Sequence, residues 1–217
     1  MSEYNIKAII FDAGNVLVRF NHTKAYEKLS KYSNLSVEEI INLISNGDKS
    51  PSSLHDSGKL SSHDFFLTIQ KQINLNKNLS FEEFSNIWGD IFEENTEIEP
   101  IIDKIHKNIK LCILSNTDPI HWSVVEKLPL LKKHFSNKNI VILSYNSKVC
   151  KPETKIYNDA LISLGMTTED TKNILYIEDV AKYRQAFENI GGHTLSYDCS
   201  KDSIYVLENG LKEYGVI

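Results

Sequence analysis

Asn5-Ile6-Lys7-Ala8-Ile9-Ile10-Phe11-Asp12-Ala13-Gly14-Asn15-Val16-Leu17-Val18 is the stretch on which the fold turns. Ile6, Ala8, Ile9, Ile10 and Phe11 form an apolar run long enough for a strand buried on both faces and too short to span a membrane. Asp12 ends the run, and Gly14 and Asn15 turn the backbone. A carboxylate at the carboxyl end of a buried first strand sits where open α/β sheets bind ligands. Alone, Asp12 also reads as a residue that merely begins a turn. Three later stretches decide between the two.

Beyond Val18 the period changes from strand to helix. Residues 23–32 are short and mixed, and Ser36-Val37-Glu38-Glu39 is a capping box followed by Ile40, Ile41, Leu43 and Ile44 on one apolar side. Residues 46–53 read as a loop by composition. Ser62-His63-Asp64 opens a helix carrying Phe65, Phe66, Ile69 and Ile73, and Ser80-Phe81-Glu82-Glu83 is a second capping box ahead of Phe84, Ile87, Trp88, Ile91 and Phe92. Roughly 70 residues without a strand are too many for a crossover connection, so they read as an inserted helical subdomain.

From Pro100 strands and helices alternate. Ile101, Ile102 and Ile105 mark a helix, and a strand over 110–114 ends in Ser115-Asn116-Thr117. A strand over 140–143 leads through a polar turn to Lys151-Pro152, and a helix over 153–164 is closed by Gly165. A strand over 173–177 ends in Glu178-Asp179, a helix over 181–190 ends at Gly191-Gly192, and 193–197 is the last strand. The alternation predicts an α/β fold. We expect a Rossmann-like three-layer αβα parallel sheet built from 1–18 and 96–217, with 19–95 as the helical insertion.

Composition narrows the function classes. Apolar residues at 41% and charged residues at 24% of the 217 are those of a folded chain. A net charge of −5 argues against a general nucleic-acid binder, since neutralising phosphates needs a basic face. A small anionic substrate is still allowed, because one lysine and a metal hold it locally. Cys112, Cys150 and Cys199 lack metal-ligand or redox spacing and read as free thiols. Met1-Ser2-Glu3-Tyr4 lacks the basic and apolar regions of a signal peptide, and no stretch reaches the length of a spanning helix, so neither membrane nor secretion is expected and the cytoplasm is the expected compartment.

In a parallel sheet with right-handed crossovers the carboxyl ends of all strands share one edge, so Asp12, Ser115-Asn116-Thr117, Lys151 and Glu178-Asp179 can converge. Asp12, Glu178 and Asp179 offer three carboxylates and no thiolate or imidazole, a set that suits a hard cation such as Mg2+. Without a cation they would repel. Ser115, Asn116 and the Lys151 ammonium can hold the oxygens of a phosphoryl group while Asp12 attacks phosphorus. Each stretch has a plainer reading taken singly: Ser115-Asn116-Thr117 as a helix N-cap, Lys151-Pro152 as a solvated turn, Glu178-Asp179 as acids at a helix start.

The ordered set Phe11-Asp12-Ala13-Gly14-Asn15-Val16, Leu114-Ser115-Asn116-Thr117, Lys151-Pro152-Glu153 and Tyr176-Ile177-Glu178-Asp179 resembles the four motifs of the haloacid dehalogenase-like (HAD) hydrolase superfamily over nearly the whole chain. The insertion after the first motif is similar to the C1-type cap of that family, and Gly58-Lys59-Leu60-Ser61 with Phe81 and Trp88 looks like caps of bacterial sugar-phosphate phosphatases. The resemblance implies that Asp12 is nucleophile and metal ligand and that the Gly14 carbonyl also meets the metal. It implies that Ser115 and Asn116 bind phosphate, with Asn15 beside them, that Lys151 orients it, and that Glu178 and Asp179 hold Mg2+. The implied activity is hydrolysis of a small phosphorylated metabolite through an aspartyl-phosphate. Two departures stand out. Family phosphatases mostly carry a second aspartate two residues after the nucleophile, as general acid and base, where this chain has Gly14. His55, Asp56 and His63 in the insertion could replace it, although each reads more simply as a solvated polar residue. Val180, Lys182 and Tyr183 replace the small polar residues often found after the last motif, which puts orientation of the metal ligands in question. Two alternatives remain: 2-haloacid dehalogenation, in which the same aspartate attacks carbon without a metal, and a catalytically weak phosphate- or metal-binding module. A receiver domain places its acidic pair and phosphoacceptor in the reverse order.

Overall fold

A computed structural model describes residues 4–75, 78–136 and 140–217, so the expectation about the first residues falls, except for Tyr4, outside the described set. Strand β1 (Ala8–Phe11) lies at the centre of a five-stranded sheet, and every pairing in that sheet is parallel. The chain first leaves β1 into a short strand, β2 (Val18–Phe20), and five helices: α1 (Thr23–Ser30), α2 (Val37–Ser45), α3 (Pro51–Asp56), α4 (Ser62–Gln72) and α5 (Phe81–Gly89). It returns through β3 (Phe92–Glu94), antiparallel to β2, and α6 (Glu99–Ile102). The sheet then continues with β4 (Lys110–Ser115), α7 (Pro119–Val125), α8 (Pro129–Phe135), β5 (Ile140–Leu143), α9 (Ser144–Ser147), α10 (Thr154–Ser163), β6 (Ile174–Glu178), α11 (Ala181–Glu188), β7 (His193–Ser196) and α12 (Ile204–Glu213).

The apolar runs of the strands are continuous because both sheet faces are covered. Ile9, Phe11, Ile113, Leu175 and Ile177 pack on one face against Trp122, Leu131, Phe135, Leu207 and Leu211 from α7, α8 and α12. Ala8, Ile10, Cys112, Leu114 and Tyr176 pack on the other against Ile156, Tyr157, Leu161 and Phe187 from α10 and α11. This is the period of two along a strand, seen from both sides. The strand order β5-β4-β1-β6-β7 reverses direction at β1, which makes the carboxyl end of β1 beside β6 the switch point where α/β sheets open a crevice. Phe11 pairs with Ile177, and the Asp12 amide donates to the Ile177 carbonyl at 2.9 Å, so Asp12 comes level with Glu178 by register alone.

The insertion has a core of its own, in which Leu29, Ile40, Ile44, Phe65, Ile69, Phe84 and Trp88 are buried. Both expected capping boxes are present: Ser36 with Glu39, and Ser80 with Glu83. Several details differ from the sequence reading, which named no helix between the 110–114 strand and Lys151, where α7, α8 and α9 lie. Residues 51–56 are helical, because Ser50 caps with its side chain and Pro51 fills the first turn where no N–H is needed. Phe92 belongs to β3 and not to the preceding helix, and the β2–β3 ribbon was not foreseen because three-residue strands show no period. Helix α12, absent from the reading, packs Leu207 and Leu211 on the sheet. Among the described residues no helix is long and apolar enough to cross a membrane, and all three cysteines are free.

Candidate active site

The four strand ends meet. Lys151 is buried with its Nζ donating to Asp12 Oδ1 at 2.8 Å and to Glu178 Oε2 at 2.7 Å. Asp12, Glu178 and Asp179 each bring a carboxylate oxygen within 4.8 Å of the others. Burial first, and the Glu178 carboxylate second, push Asp12 up to about 7 against the pull of Lys151. Asp179, half-buried, is pushed up to about 6 by burial and by Glu178. Burial works against the charge on Glu178 as well, but the Lys151 ammonium and the hydrogen bonds it accepts keep it below the ordinary carboxylate range. Lys151 in turn is held above its ordinary value by the two carboxylates, against burial. One ammonium thus balances only part of three crowded acids. A hard, oxygen-bound divalent cation fits this donor set, since it would relieve the repulsion that raises Asp12 and Asp179.

Supporting contacts aim these groups. The Val180 amide donates to Glu178 Oε1 at 3.0 Å, the Tyr176 hydroxyl donates to Glu178 Oε2, and Arg184 Nη1 donates to the Glu178 and Asp179 carbonyls at 2.9 and 2.8 Å. Tyr183 places its ring 5.0 Å from Lys151 Nζ. Val180 and Tyr183, which looked like a weakness in the sequence, therefore hold the site through a backbone amide and a ring face. Asn15 sits at φ 54, a left-handed conformation that asparagine tolerates, and donates from Nδ2 to Asp179 Oδ2 at 3.3 Å. Asn116 Oδ1 accepts from the Lys151 amide at 2.8 Å while its Nδ2 donates to the Lys151 carbonyl at 3.1 Å. Both asparagine side chains expected at substrate are thus engaged in positioning Asp179 and Lys151.

Ala13, Gly14, Ser115, Asn116 and Thr117 line a cavity of about 70 Å³ together with Phe20, His22, Asp56 and His121. Gly14 has no room for a side chain: a Cβ there would lie 2.7 Å from Phe20 Cε1. A second, larger opening of about 480 Å³ is bordered by Asn116, Lys151, Tyr183 and, again, Asp56. Ser115-Asn116-Thr117 does not cap a helix, because the N-cap of α7 is Asp118.

Asp118 anchors a network that the sequence analysis missed. Its Oδ1 accepts from the Ile120 and His121 amides at 2.8 and 2.9 Å, and its Oδ2 accepts from Trp88 Nε1 at 3.0 Å and from His121 Nδ1 at 2.7 Å. His121 Nε2 donates to the Trp88 carbonyl at 3.0 Å, so both ring nitrogens give protons to acceptors. Burial disfavours the charge on each partner, yet the pairing holds Asp118 well below the ordinary carboxylate range and His121 above its ordinary value. The sequence signal was Asp118 before Pro119, an N-cap followed by a first-turn proline. His55, expected in solvent, is fully buried, stacked on Phe65 at 4.4 Å with Nε2 3.1 Å from Ser62 Oγ, whereas His63 is exposed as expected.

The network has a defined pH window. Stability from Asp118 is complete above its ordinary 3.8 and lost as pH falls through the lower folded value. Stability from His121 is complete below its ordinary 6.5 and lost as pH rises through the higher folded value. Asp118→Asn is therefore expected to cost about 3–5 kcal/mol at pH 6, as for one partner removed from a buried pair, and less at pH 9. Urea midpoints of both proteins at the two pH values check this, and an equal gap at both would refute it.

Known proteins align with this architecture. The family model of the haloacid dehalogenase-like hydrolases matches residues 6–191. No curated protein matches the chain. Among solved structures, a HAD family enzyme from Bacteroides thetaiotaomicron in complex with magnesium and inorganic phosphate is 21% identical, with 93% of this chain and 98% of that chain covered at a TM-score of 0.78. A predicted HAD-like family hydrolase from Porphyromonas gingivalis is 22% identical over 96% of this chain and 99% of that chain, at a TM-score of 0.77. The L-2-haloacid dehalogenase from Xanthobacter autotrophicus, with chloropropionic acid covalently bound, is 15% identical over 98% and 84%, at a TM-score of 0.62. At these identities the likeness is one of fold.

Proposed function

The chain belongs to the haloacid dehalogenase-like hydrolase family, and we propose that it is a Mg2+-dependent phosphomonoester hydrolase acting on a small phosphorylated metabolite, with Asp12 as the nucleophile and residues 19–95 as its cap. The observation that carries the proposal is the crowding of Asp12, Glu178 and Asp179 within 4.8 Å around one lysine. An aspartate attacking carbon works without a metal and so does not need several carboxylates gathered around one. An aspartate attacking a phosphate dianion needs positive charge to bring two anions together.

In this reading Asp12 attacks phosphorus, and the ester oxygen leaves toward the cavity walled by the insertion. Ser115 and the Asn116 backbone receive the non-bridging oxygens, and Lys151 keeps Asp12 aimed while screening its charge. Asp12, Asp179, Glu178 and the Gly14 carbonyl would hold Mg2+. Bound there, the ion would supply the charge neutralisation that Lys151 alone does not. Glu178 has both oxygens engaged by Val180, Tyr176 and Lys151, which favours Asp12 and Asp179 as the direct ligands. Water then hydrolyses the aspartyl-phosphate. The Bacteroides structure with magnesium and inorganic phosphate supports this reading, and the Xanthobacter dehalogenase with chloropropionic acid covalently bound supports a covalent intermediate on this fold.

The test is p-nitrophenyl phosphate hydrolysis with and without Mg2+. Turnover that requires the ion is expected. Chloride release from 2-chloropropionate without metal would replace the proposal with dehalogenation, and Mg2+ binding without turnover on any phosphate ester would replace it with a binding role. Independently of activity, Mg2+ at ~100 times its dissociation constant should stabilise the protein by about 2.7 kcal/mol in thermal unfolding. Asp179→Asn is expected to remove most of that increment, and an undiminished shift would exclude Asp179 as a ligand.

A further inference from the structure

We propose that Asp56, carried by the insertion, is the general acid and base of this hydrolysis: it gives a proton to the departing ester oxygen and takes one from the attacking water. The inference rests on the phosphohydrolase reading above. In the first half-reaction a bond forms between an Asp12 carboxylate oxygen and phosphorus, the bond from phosphorus to the ester oxygen breaks, and the Asp56 proton leaves with the alcohol. In the second, water attacks phosphorus and its proton passes to the Asp56 carboxylate. The bond from phosphorus to Asp12 breaks, and inorganic phosphate, the Asp12 carboxylate and protonated Asp56 are restored.

Position carries most of the inference. Asp56 closes α3 and lines both the cavity walled by Gly14, Ser115 and Asn116 and the opening bordered by Lys151. Its backbone is tied to the phosphate-side loop through one hydroxyl. Ser144 Oγ donates to the Asp56 carbonyl at 2.6 Å and accepts from the Thr117 amide at 2.9 Å. The cap residue and the loop after β4 therefore keep a set distance.

Elimination carries the rest. An alkoxide does not leave unprotonated at neutral pH, so some group on the cavity wall must supply a proton. Gly14 has none, and the Phe20 ring fills the space above it. Lys151 Nζ is shared between two carboxylates. His121 spends both ring nitrogens on Asp118 and Trp88. Burial and the charge of His121 push His22 down to about 4, so at neutral pH it is a neutral imidazole and no general acid. The Asp56 carboxylate accepts no hydrogen bond among the described residues, and burial, reinforced by Asp118 and opposed by His121, pushes it up to about 7. A group near that value exchanges protons in both directions at neutral pH. The groups facing it are Asp118 and His121 of α7, His22 before α1, Tyr26 of α1 and Cys150, with Asp48, Lys59, Lys151, Glu153, Lys182 and Tyr183 around the opening.

The experiment compares the full chain with Asp56→Asn and Asp56→Glu on two esters, p-nitrophenyl phosphate and glycerol 2-phosphate, with Mg2+ present. A nitrophenolate leaves without help; an alkoxide does not. Asp56→Asn should lower kcat on glycerol 2-phosphate by about 10²- to 10⁴-fold. On p-nitrophenyl phosphate it should release one equivalent of nitrophenolate in a burst and then slow, because the aspartyl-phosphate persists without its base. The burst also counts folded, competent sites. The limb of the pH profile near neutrality should vanish in Asp56→Asn and return in Asp56→Glu. Asp56→Asn within about threefold of the unmodified chain on glycerol 2-phosphate would overturn the assignment and leave the phosphohydrolase reading standing. So would equal losses on both esters with no burst and the pH limb retained, the mark of a merely structural role. No p-nitrophenyl phosphate turnover by the unmodified chain would overturn both.

Discussion

Asp12→Asn is expected to lower p-nitrophenyl phosphate turnover by roughly 10⁴- to 10⁶-fold, the scale on which other hydrolases lose rate when their nucleophile is removed. The substitution keeps the shape of the side chain and deletes its charge, so what it tests is chemistry and not packing. The fold should survive it. Lys151 retains Glu178 at 2.7 Å, and the acid pushed up to about 7 by burial and by its neighbour is the one removed. Removing it leaves one buried ammonium opposite one buried carboxylate, a better balanced pair than before. Unchanged or slightly raised thermal stability together with lost turnover is therefore the expected signature. Turnover kept in this variant would remove Asp12 from the nucleophile position, and lost folding would show that its charge is structural.

Lys151→Met should do the opposite to the fold. The ammonium lies between Asp12 Oδ1 and Glu178 Oε2 in a buried site, and methionine fills much of the volume without charge. Two carboxylates then face each other without their cation, and the cost of breaking such a buried pair is about 3–5 kcal/mol. For a chain of this size that is on the order of 10 °C in the unfolding midpoint. Activity should be lost as well, because among the described residues Lys151 is the side-chain cation beside Asp12 when the phosphate arrives. Added Mg2+ should recover part of the stability and not the turnover. A melting point equal to that of the unmodified chain would show that Lys151 is not the charge that holds the cluster together.

Much of this site was legible before any coordinates. Asp12, Lys151, Glu178 and Asp179 could be expected together because each lies at or beyond the carboxyl end of a strand, and the strands proved to be parallel with β1 at the switch point. The helical character of 23–89 was equally legible, since its two capping boxes and its spaced aromatic residues are local signals. Where sequence reasoning fell short, the determining contact is long-range in some places and a local cap in one. The β2–β3 ribbon joins segments more than seventy residues apart, with Val18 opposite Glu94, and neither strand alone is long enough to show a period. Helix α3 begins in a stretch whose serines and proline suggested a loop, but the same residues cap and start a helix once Ser50 accepts from the Ser53 amide. His55 looked like a solvated residue because nothing nearby in the sequence announces that Phe65 will stack on it.

By itself the amino-acid sequence determined the α/β architecture, the helical insertion after β1, and the gathering of one lysine and three acids at one sheet edge. Strand direction and right-handed crossovers dictate these whatever the side chains do in detail. Only the tertiary structure decided which polar atoms are left for chemistry. Asn15 and Asn116 are occupied with Asp179 and with the Lys151 backbone, the Phe20 ring takes the space beside Gly14, His121 is locked to Asp118 and Trp88, and Asp56 is turned toward the cavity. The asparagine contacts depend on how the strand ends meet, and the places of Phe20, Trp88 and Asp56 on how the insertion packs on the sheet; a hydrogen bond between residues distant in the chain leaves no periodic trace in the sequence between them.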